Sequence, residues 1–318
     1  MVEVSIDSLG YGAANLGNLR RPLSDEEAWA ILDAAWDAGI RYFDTAPHYG
    51  LGLSERRLGA FLATRPRDEY IVSTKVGRLL RPSPHFSGEL DLDNDFHVPA
   101  DVHRVWDLTA DGVRVSLEES LERLGLDRVD ILYVHDPERH DLGQGIREAL
   151  PAAARLRDEG MVDAVGFGSM VTESLIAATE TGLADVHMVA GRYTIADDAS
   201  AEDLLPACEQ NGVGIVAAAI FNGGLTARDN PSTESFFDYE PVSPERLDRV
   251  QRIAATCRDF GVSLPTAALH FPLRSASVRS VVVGGSTPEQ LLQSVARLHE
   301  PVPDDLWAAL KSEELVAA

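Results

Sequence analysis

The segment Gly39-Ile-Arg-Tyr-Phe-Asp-Thr-Ala-Pro-His-Tyr-Gly-Leu-Gly-Leu-Ser-Glu-Arg-Arg-Leu-Gly59 packs a strand, a loop and a helix start into one short run. Ile40 to Phe43 reads as an apolar strand, and Asp44 appears where the chain turns. Tyr49 follows in a loop with Pro47, Gly50 and Gly52, and Ser54 and Glu55 open a helix whose first inward positions are Leu58 and Phe61. An acid at a strand's C-terminal end and a tyrosine in the next loop are placed for chemistry. They also suit a turn-capping Asp beside a Tyr that covers a rim. This stretch alone leaves both readings open.

Outward from it, the same unit recurs. Asp7 to Gly12, Tyr70 to Val76, Val129 to Val134, Ala164 to Gly168, Val186 to Val189, Gly214 to Ala219 and Val278 to Val283 read as further strands. Between them lie helical patterns at Asp25 to Ala38, Thr109 to Leu124, Gly145 to Glu159, Thr172 to Thr181, Leu204 to Asn211 and Pro244 to Phe260. Val113, Leu117 and Leu121 mark the buried stripe of one, with Gly125 as its C-cap. Alternating apolar strands and helices imply a parallel sheet with helices outside. Eight units in 318 residues fit a closed (β/α)8 TIM barrel, α/β in class, better than an open doubly wound sheet. No Gly-x-Gly-x-x-Gly joins a strand to a helix, and no linker divides residues 1–318, so one barrel domain is expected. Two long segments, Gly77 to Leu108, which has no periodicity, and Phe221 to Val242, read as loops and should overhang the strand ends.

Composition narrows the function. With 28 Lys and Arg against 51 Asp and Glu, the net charge is −23, a field that repels nucleic acid and anionic membranes. Cys208 and Cys257 are too few for a disulfide framework or a cysteine-rich zinc site. The N-terminus lacks a signal-peptide pattern and no apolar run reaches a membrane span, so a cytoplasmic protein, monomer or homodimer, is expected.

In a closed barrel the strand C-terminal ends share one rim. That rim would collect Asp44 and Tyr49 from the second strand, Lys75 from the third and His135 from the fourth. Taken singly, a Lys–Asp pair can simply fill a barrel mouth, and a rim histidine can simply be satisfied. Together they form a set for moving a proton on an oxygen. A phenol ordinarily titrates near pH ~10, and a neighbouring ammonium favours its phenolate. Asp44 would hold Lys75 charged and aimed, and His135 would hydrogen-bond a substrate oxygen.

These residues sit in motifs that resemble the aldo-keto reductases along nearly the whole chain. They are Phe43-Asp44-Thr45-Ala46-x-x-Tyr49-Gly50, Ser54-Glu55-x-x-Leu58-Gly59, Ser73-Thr74-Lys75, Ser120-Leu121-x-Arg123-Leu124-Gly125 and Tyr133-Val134-His135-Asp136-Pro137. The resemblance implies a tetrad of Asp44, Tyr49, Lys75 and His135, with Tyr49 as proton donor in reduction and acceptor in oxidation. It also implies a nicotinamide cofactor, NAD or NADP, bound without a Rossmann domain. Ala190-Gly191-Arg192-Tyr193-Thr194, Phe221-Asn222-x-Gly224-Leu225 and Phe237-Asp238-Tyr239 resemble the sugar-oxidising branch, the D-threo-aldose 1-dehydrogenases and L-fucose or galactose dehydrogenases. On that resemblance Tyr193 stacks on the nicotinamide ring. Phe221, Asn222, Gly224 and Leu225 wrap the pyrophosphate through backbone N–H groups, the glycines permitting close approach.

Two positions depart from the family pattern. Ser169 stands where most members carry the Asn that binds the carboxamide. After the eighth strand, in the segment Gly284, Gly285, Ser286 and Gln290, the NADPH-preferring members place Lys and Arg; Gly284 and Gln290 occupy those positions here, which favours NAD. His48, Trp106, Phe237 and Tyr239, with Phe96, His97, His103 and Phe236, are expected pocket walls for a sugar or carbonyl substrate. The expected reaction is oxidation of an aldose C1 hydroxyl to a lactone. A reductase of aldehydes or ketones, and a cofactor-binding regulatory subunit with little turnover, remain as alternatives. A metal-dependent hydrolase built on His135, Asp136 and His140 with Asp95, His97 and His103 is disfavoured, because no histidine pair has metal-ligand spacing on a strand.

Overall fold

The computed structural model describes residues 6–238 and 240–317. Its centre is a closed barrel of eight parallel strands, as the alternation predicts: β1 (Leu9–Gly12), β2 (Tyr42–Asp44), β3 (Ile71–Val76), β4 (Ile131–His135), β5 (Ala164–Ser169), β6 (Val186–Ala190), β7 (Gly214–Ala218) and β8 (Val278–Val283). Each strand pairs with its sequence neighbours, and β8 closes on β1. Helices α1 (Asp25–Asp37), α2 (Leu53–Leu62), α3 (Ala110–Leu124), α4 (Leu150–Asp158), α5 (Thr172–Glu180), α6 (Leu204–Asn211), α7 (Pro244–Asp259), α8 (Leu264–His270), α9 (Pro288–Leu298) and α10 (Asp304–Ser312) complete the fold. None of the described helices is long and apolar enough to cross a membrane.

Local chemistry sets the helix ends. Ser24 and Glu27 form a reciprocal capping box at α1, and Thr109 accepts from the Gly112 N–H at α3. Gly125 ends α3 at φ 65°, the left-handed turn a C-cap glycine takes at no steric cost. The helix expected over Gly145 to Glu159 is interrupted at its start. Pro151 has no N–H to give Arg147, so Gly145–Ala149 forms a π turn, with the Leu150 N–H reaching Gly145 O, before α4 begins.

Strand side chains alternate between two cores. Phe43, Val72, Val134, Val165, Ile215 and Val281 pack outward under the helices, whereas Tyr42, Ile131, Tyr133, Val186, Met188, Val216 and Val282 fill the barrel. The bulk of Tyr42 requires bare backbone opposite, since a Cβ on Gly10 would lie 2.5 Å from its ring. Side chains also take strand N–H groups: Asp130 Oδ2 accepts the Val72 N–H at 2.7 Å and Asp185 Oδ2 the Val165 N–H at 3.0 Å. His187 Nδ1 accepts the Phe167 N–H at 3.0 Å, and Thr179 Oγ1 meets its other nitrogen at 3.0 Å.

The structure corrects the expectation for Gly77 to Leu108. Arg78–Pro82 and Val102–Trp106 pair as an antiparallel ribbon. The period-two signal was weak because both faces carry polar residues; Val102, Arg104 and Trp106 are part-buried, and His103 and Val105 are exposed.

Candidate active site

Alternation explains why three strands deliver their polar residues to one place. Asp44, Lys75 and His135 each lie two residues beyond an inward side chain, namely Tyr42, Ser73 and Tyr133, and so occupy the last inward positions of β2, β3 and β4. The register sets Asp44 beside Ser73 and Lys75 beside Tyr133. Lys75 Nζ donates to Asp44 Oδ2 at 2.6 Å, to Thr45 O at 3.0 Å and to the Tyr49 hydroxyl at 3.1 Å. Ser73 Oγ donates to the other Asp44 oxygen at 2.7 Å. The Tyr49 and His135 ring centroids are 6.0 Å apart, edge to face. All four residues of the expected tetrad therefore meet.

Burial works against the Lys75 charge, but Asp44 and then Tyr49 outweigh it and raise the ammonium above its ordinary value. Burial, reinforced by Arg78 and Lys75, holds His135 well below its usual range, so the imidazole is neutral. His48, whose ring lies 5.7 Å from that of His135, is lowered the same way by burial, Arg78 and Arg104.

Arg78, Asp91 and Arg104, not singled out from the sequence, help build the wall of this site. Arg104 grips Asp91 with both terminal nitrogens at 2.9 and 2.6 Å, and donates to His48 O at 2.7 Å. Arg78 donates to Asp136 Oδ2 at 2.7 Å and lies 4.4 Å over the Trp106 ring, on which His140 stacks at 5.3 Å. Phe96 is buried against His48 and Tyr49. His48 and Phe96 thus lie against the tetrad rings, whereas Trp106 lies further out, under Arg78 and His140. His103 faces solvent, Phe236 is exposed, and Tyr239 lies outside the described residues. Phe237 is turned into the core with the Arg246 guanidinium 3.6 Å from its ring, so it anchors the loop after β7 rather than lining a pocket.

The mouth opposite the tetrad carries little side-chain bulk. Gly168, Ala190 and Ala218 hold the last inward positions there, and a Cβ on Gly168 would stand 3.7 Å from Lys75 Cε. Beyond β7 and β8, Ala219, Gly223, Gly224 and Gly284 expose nearly bare backbone. Such a surface fits an extended dinucleotide that needs close backbone approach. Its details differ from expectation. Tyr193 is only 2% exposed, with its ring 5.4 Å from Phe271 in the outer core, so it has no free face to stack on a nicotinamide. The N–H groups of Asn222, Gly224 and Leu225 are already donated inside their own turn. Asn222 ties that turn to Gly191 O and Thr194 through its side chain. Ser169 Oγ donates to Glu138 at 2.7 Å and accepts the Val171 N–H at 2.9 Å. Gln290 accepts from Ser286 N at 2.9 Å, and Tyr11 and Arg21 hold the Gly285 and Ser286 carbonyls. Arg21 is a cation at this segment that the sequence reading did not place there. Among the described residues no group of three His, Cys, Asp or Glu side chains is arranged to hold a metal ion.

Comparison with known proteins agrees with this geometry. The model of the Aldo/keto reductase family matches residues 8–314. A D-threo-aldose 1-dehydrogenase from a Pseudomonas species is 58% identical over 98% of this chain and 95% of its own. A pyridoxal 4-dehydrogenase from Microbacterium luteolum is 36% identical over 99% of this chain and 96% of its own. The solved glycerol dehydrogenase from Gluconobacter oxydans superposes with a TM-score of 0.77 at 21% identity, covering 99% of this chain and 93% of that one, which speaks to the fold. On the family match over nearly its whole length, the chain belongs to the aldo/keto reductase family of NAD(P)-dependent oxidoreductases.

Proposed function

We propose that this protein oxidises the C1 hydroxyl of a cyclic aldose to the lactone, with Asp44, Tyr49, Lys75 and His135 as its catalytic residues. The observation that carries the reading is the unbroken line from Asp44 Oδ2 through Lys75 Nζ to the Tyr49 hydroxyl, at 2.6 and 3.1 Å. The 58% identity to a D-threo-aldose 1-dehydrogenase supports the substrate class.

Each residue has a physical task. Lys75, held charged by Asp44, stabilises negative charge on the Tyr49 oxygen, which lets that oxygen take the proton of the C1 hydroxyl. Neutral His135 hydrogen-bonds the same substrate oxygen and fixes it beside Tyr49. Buried Asp44 keeps the ammonium aimed without reaching the substrate. Ala219, Gly223, Gly224 and Gly284 would hold NAD(P) against bare backbone beyond β7 and β8, and the bound cofactor would supply the acceptor for the hydride from C1. Gly284 and Gln290 bring no cation for a 2′-phosphate, and Arg21 is engaged with Ser286 O and Glu27, so NAD suits this strongly acidic chain better. Initial rates for a panel of aldoses, each with NAD and NADP, test substrate and cofactor together. Tyr49→Phe should cut kcat by at least ~10²-fold while cofactor binding persists; wild-type turnover by that variant would overturn the mechanism.

A further inference from the structure

His48 stands beside the tetrad, part-buried, with a polar atom that the proton transfer leaves unused. Its ring lies 5.7 Å from that of His135 and 6.1 Å from that of Tyr49, and it meets Phe96 edge to face at 5.5 Å. Arg104 donates to the His48 carbonyl at 2.7 Å while gripping Asp91, so the backbone beneath the ring is pinned. The two ring nitrogens differ. Nδ1 is buried without a partner among the described residues, whereas Nε2, also without one, keeps accessible surface. Burial, and then the charges of Arg78, Arg104, Arg139 and Lys75, hold the imidazole neutral, with its pKa pushed down to about 2. A neutral imidazole carries one N–H and one acceptor nitrogen. An orphaned buried N–H is rarer than an orphaned buried acceptor, so the proton belongs on Nε2. His48 thus offers the site an uncharged donor that no group of the chain uses.

We propose that His48 is a specificity residue for the sugar: its Nε2–H donates to the C2 hydroxyl while Tyr49 and His135 hold the C1 oxygen. Neighbouring rings then meet oxygens on neighbouring carbons. Because the donor has no acceptor inside the chain, an arriving hydroxyl displaces only water and replaces the bond that water made. A substrate that is apolar at this position strips the water and leaves the N–H unpaired beside Phe96. The class selected is an aldose with a hydroxyl next to the reacting carbon, over simple carbonyls and alcohols. His48 moves no proton, and its effect is on binding in the ground and transition states. This inference rests on the aldose reading above.

The test measures kcat/KM for the most active aldose of the panel and for the same sugar lacking its C2 hydroxyl, in wild type and three variants. An unpaired neutral donor predicts a wild-type preference on the order of tenfold for the intact sugar. His48→Phe keeps a ring without the N–H, and His48→Asn places its amide where Nδ1 was; both should shrink the preference toward one. His48→Gln can set its amide N–H where Nε2–H was and should keep most of it. Comparing ratios between proteins cancels the intrinsic reactivity of the deoxy sugar. A wild type that oxidises no aldose refutes the proposed function itself. A wild type that oxidises both sugars equally well, a Phe or Asn variant that keeps the full preference, or a Gln variant that loses it overturns the assignment to His48. Should the Phe variant fail to fold, the Asn and Gln variants decide.

Discussion

Lys75 Nζ sits 2.6 Å from Asp44 Oδ2 with the two side chains only 2% and 3% exposed, so the proton-transfer residues are joined to a buried ion pair. Removing one partner of such a pair leaves a charge that burial then opposes. In Asp44→Asn the burial that already works against the Lys75 ammonium loses its main counterweight. The Lys75 pKa should fall, and activity should decline with rising pH from a lower value than in wild type. A kcat–pH profile checks this, with thermal melts to separate it from a stability loss of about 3–5 kcal/mol. An unshifted alkaline limb would show that Lys75 draws its charge from elsewhere.

A close helix contact yields a second expectation. Gly59 on α2 faces α3, and a Cβ there would lie 2.2 Å from Leu124 O. A backbone oxygen cannot rotate aside, so Gly59→Ala must push the two helices apart, at a cost of about 1–3 kcal/mol. Denaturant unfolding should show a lower midpoint; a midpoint equal to wild type would mean the helices separate freely.

Acid stability should depend on His187. Buried between Phe167 N and Thr179, its imidazole is pushed by burial from 6.5 down to about 4. The unfolded chain therefore binds this proton first, and stability is lost as pH falls from about 6.5 to about 4, by roughly 3 kcal/mol in all. Urea unfolding of wild type and His187→Asn across that range measures the difference, since Asn offers an acceptor that does not titrate there. Parallel pH slopes in the two proteins would reject the assignment.

Much of the barrel could be read from the chain because its signals are local. Apolar strands with polar ends alternate with capped helices, and period-two alternation alone puts Asp44, Lys75 and His135 on the inward face. The motif Ser54-Glu55, by contrast, marks the family without revealing its task. In the fold, Ser54 Oγ donates to Ala13 O at 2.7 Å, and fully buried Glu55 takes Thr74 Oγ1 and Arg123 Nε at 2.7 and 2.6 Å. These tie α2 to Ala13 after β1, to β3 and to α3, and the partners are too distant in sequence to be paired by eye.

The sequence by itself determined the eight-unit order and the last inward residues of β2, β3 and β4, because both follow from periodicities over a few residues. Only the tertiary structure decided which rim side chains turn inward and which turn away. A loop aromatic such as Tyr193 looks alike in either place, and packing against Phe271 sends it to the outer core. The same holds for charge. Arg78 and Asp136 lie 58 residues apart along the chain, and the pairing of β3 with β4 sets them 2.7 Å apart beside His135. Which side chains border the site is thus decided by residues from different loops, brought together by the closure of the barrel.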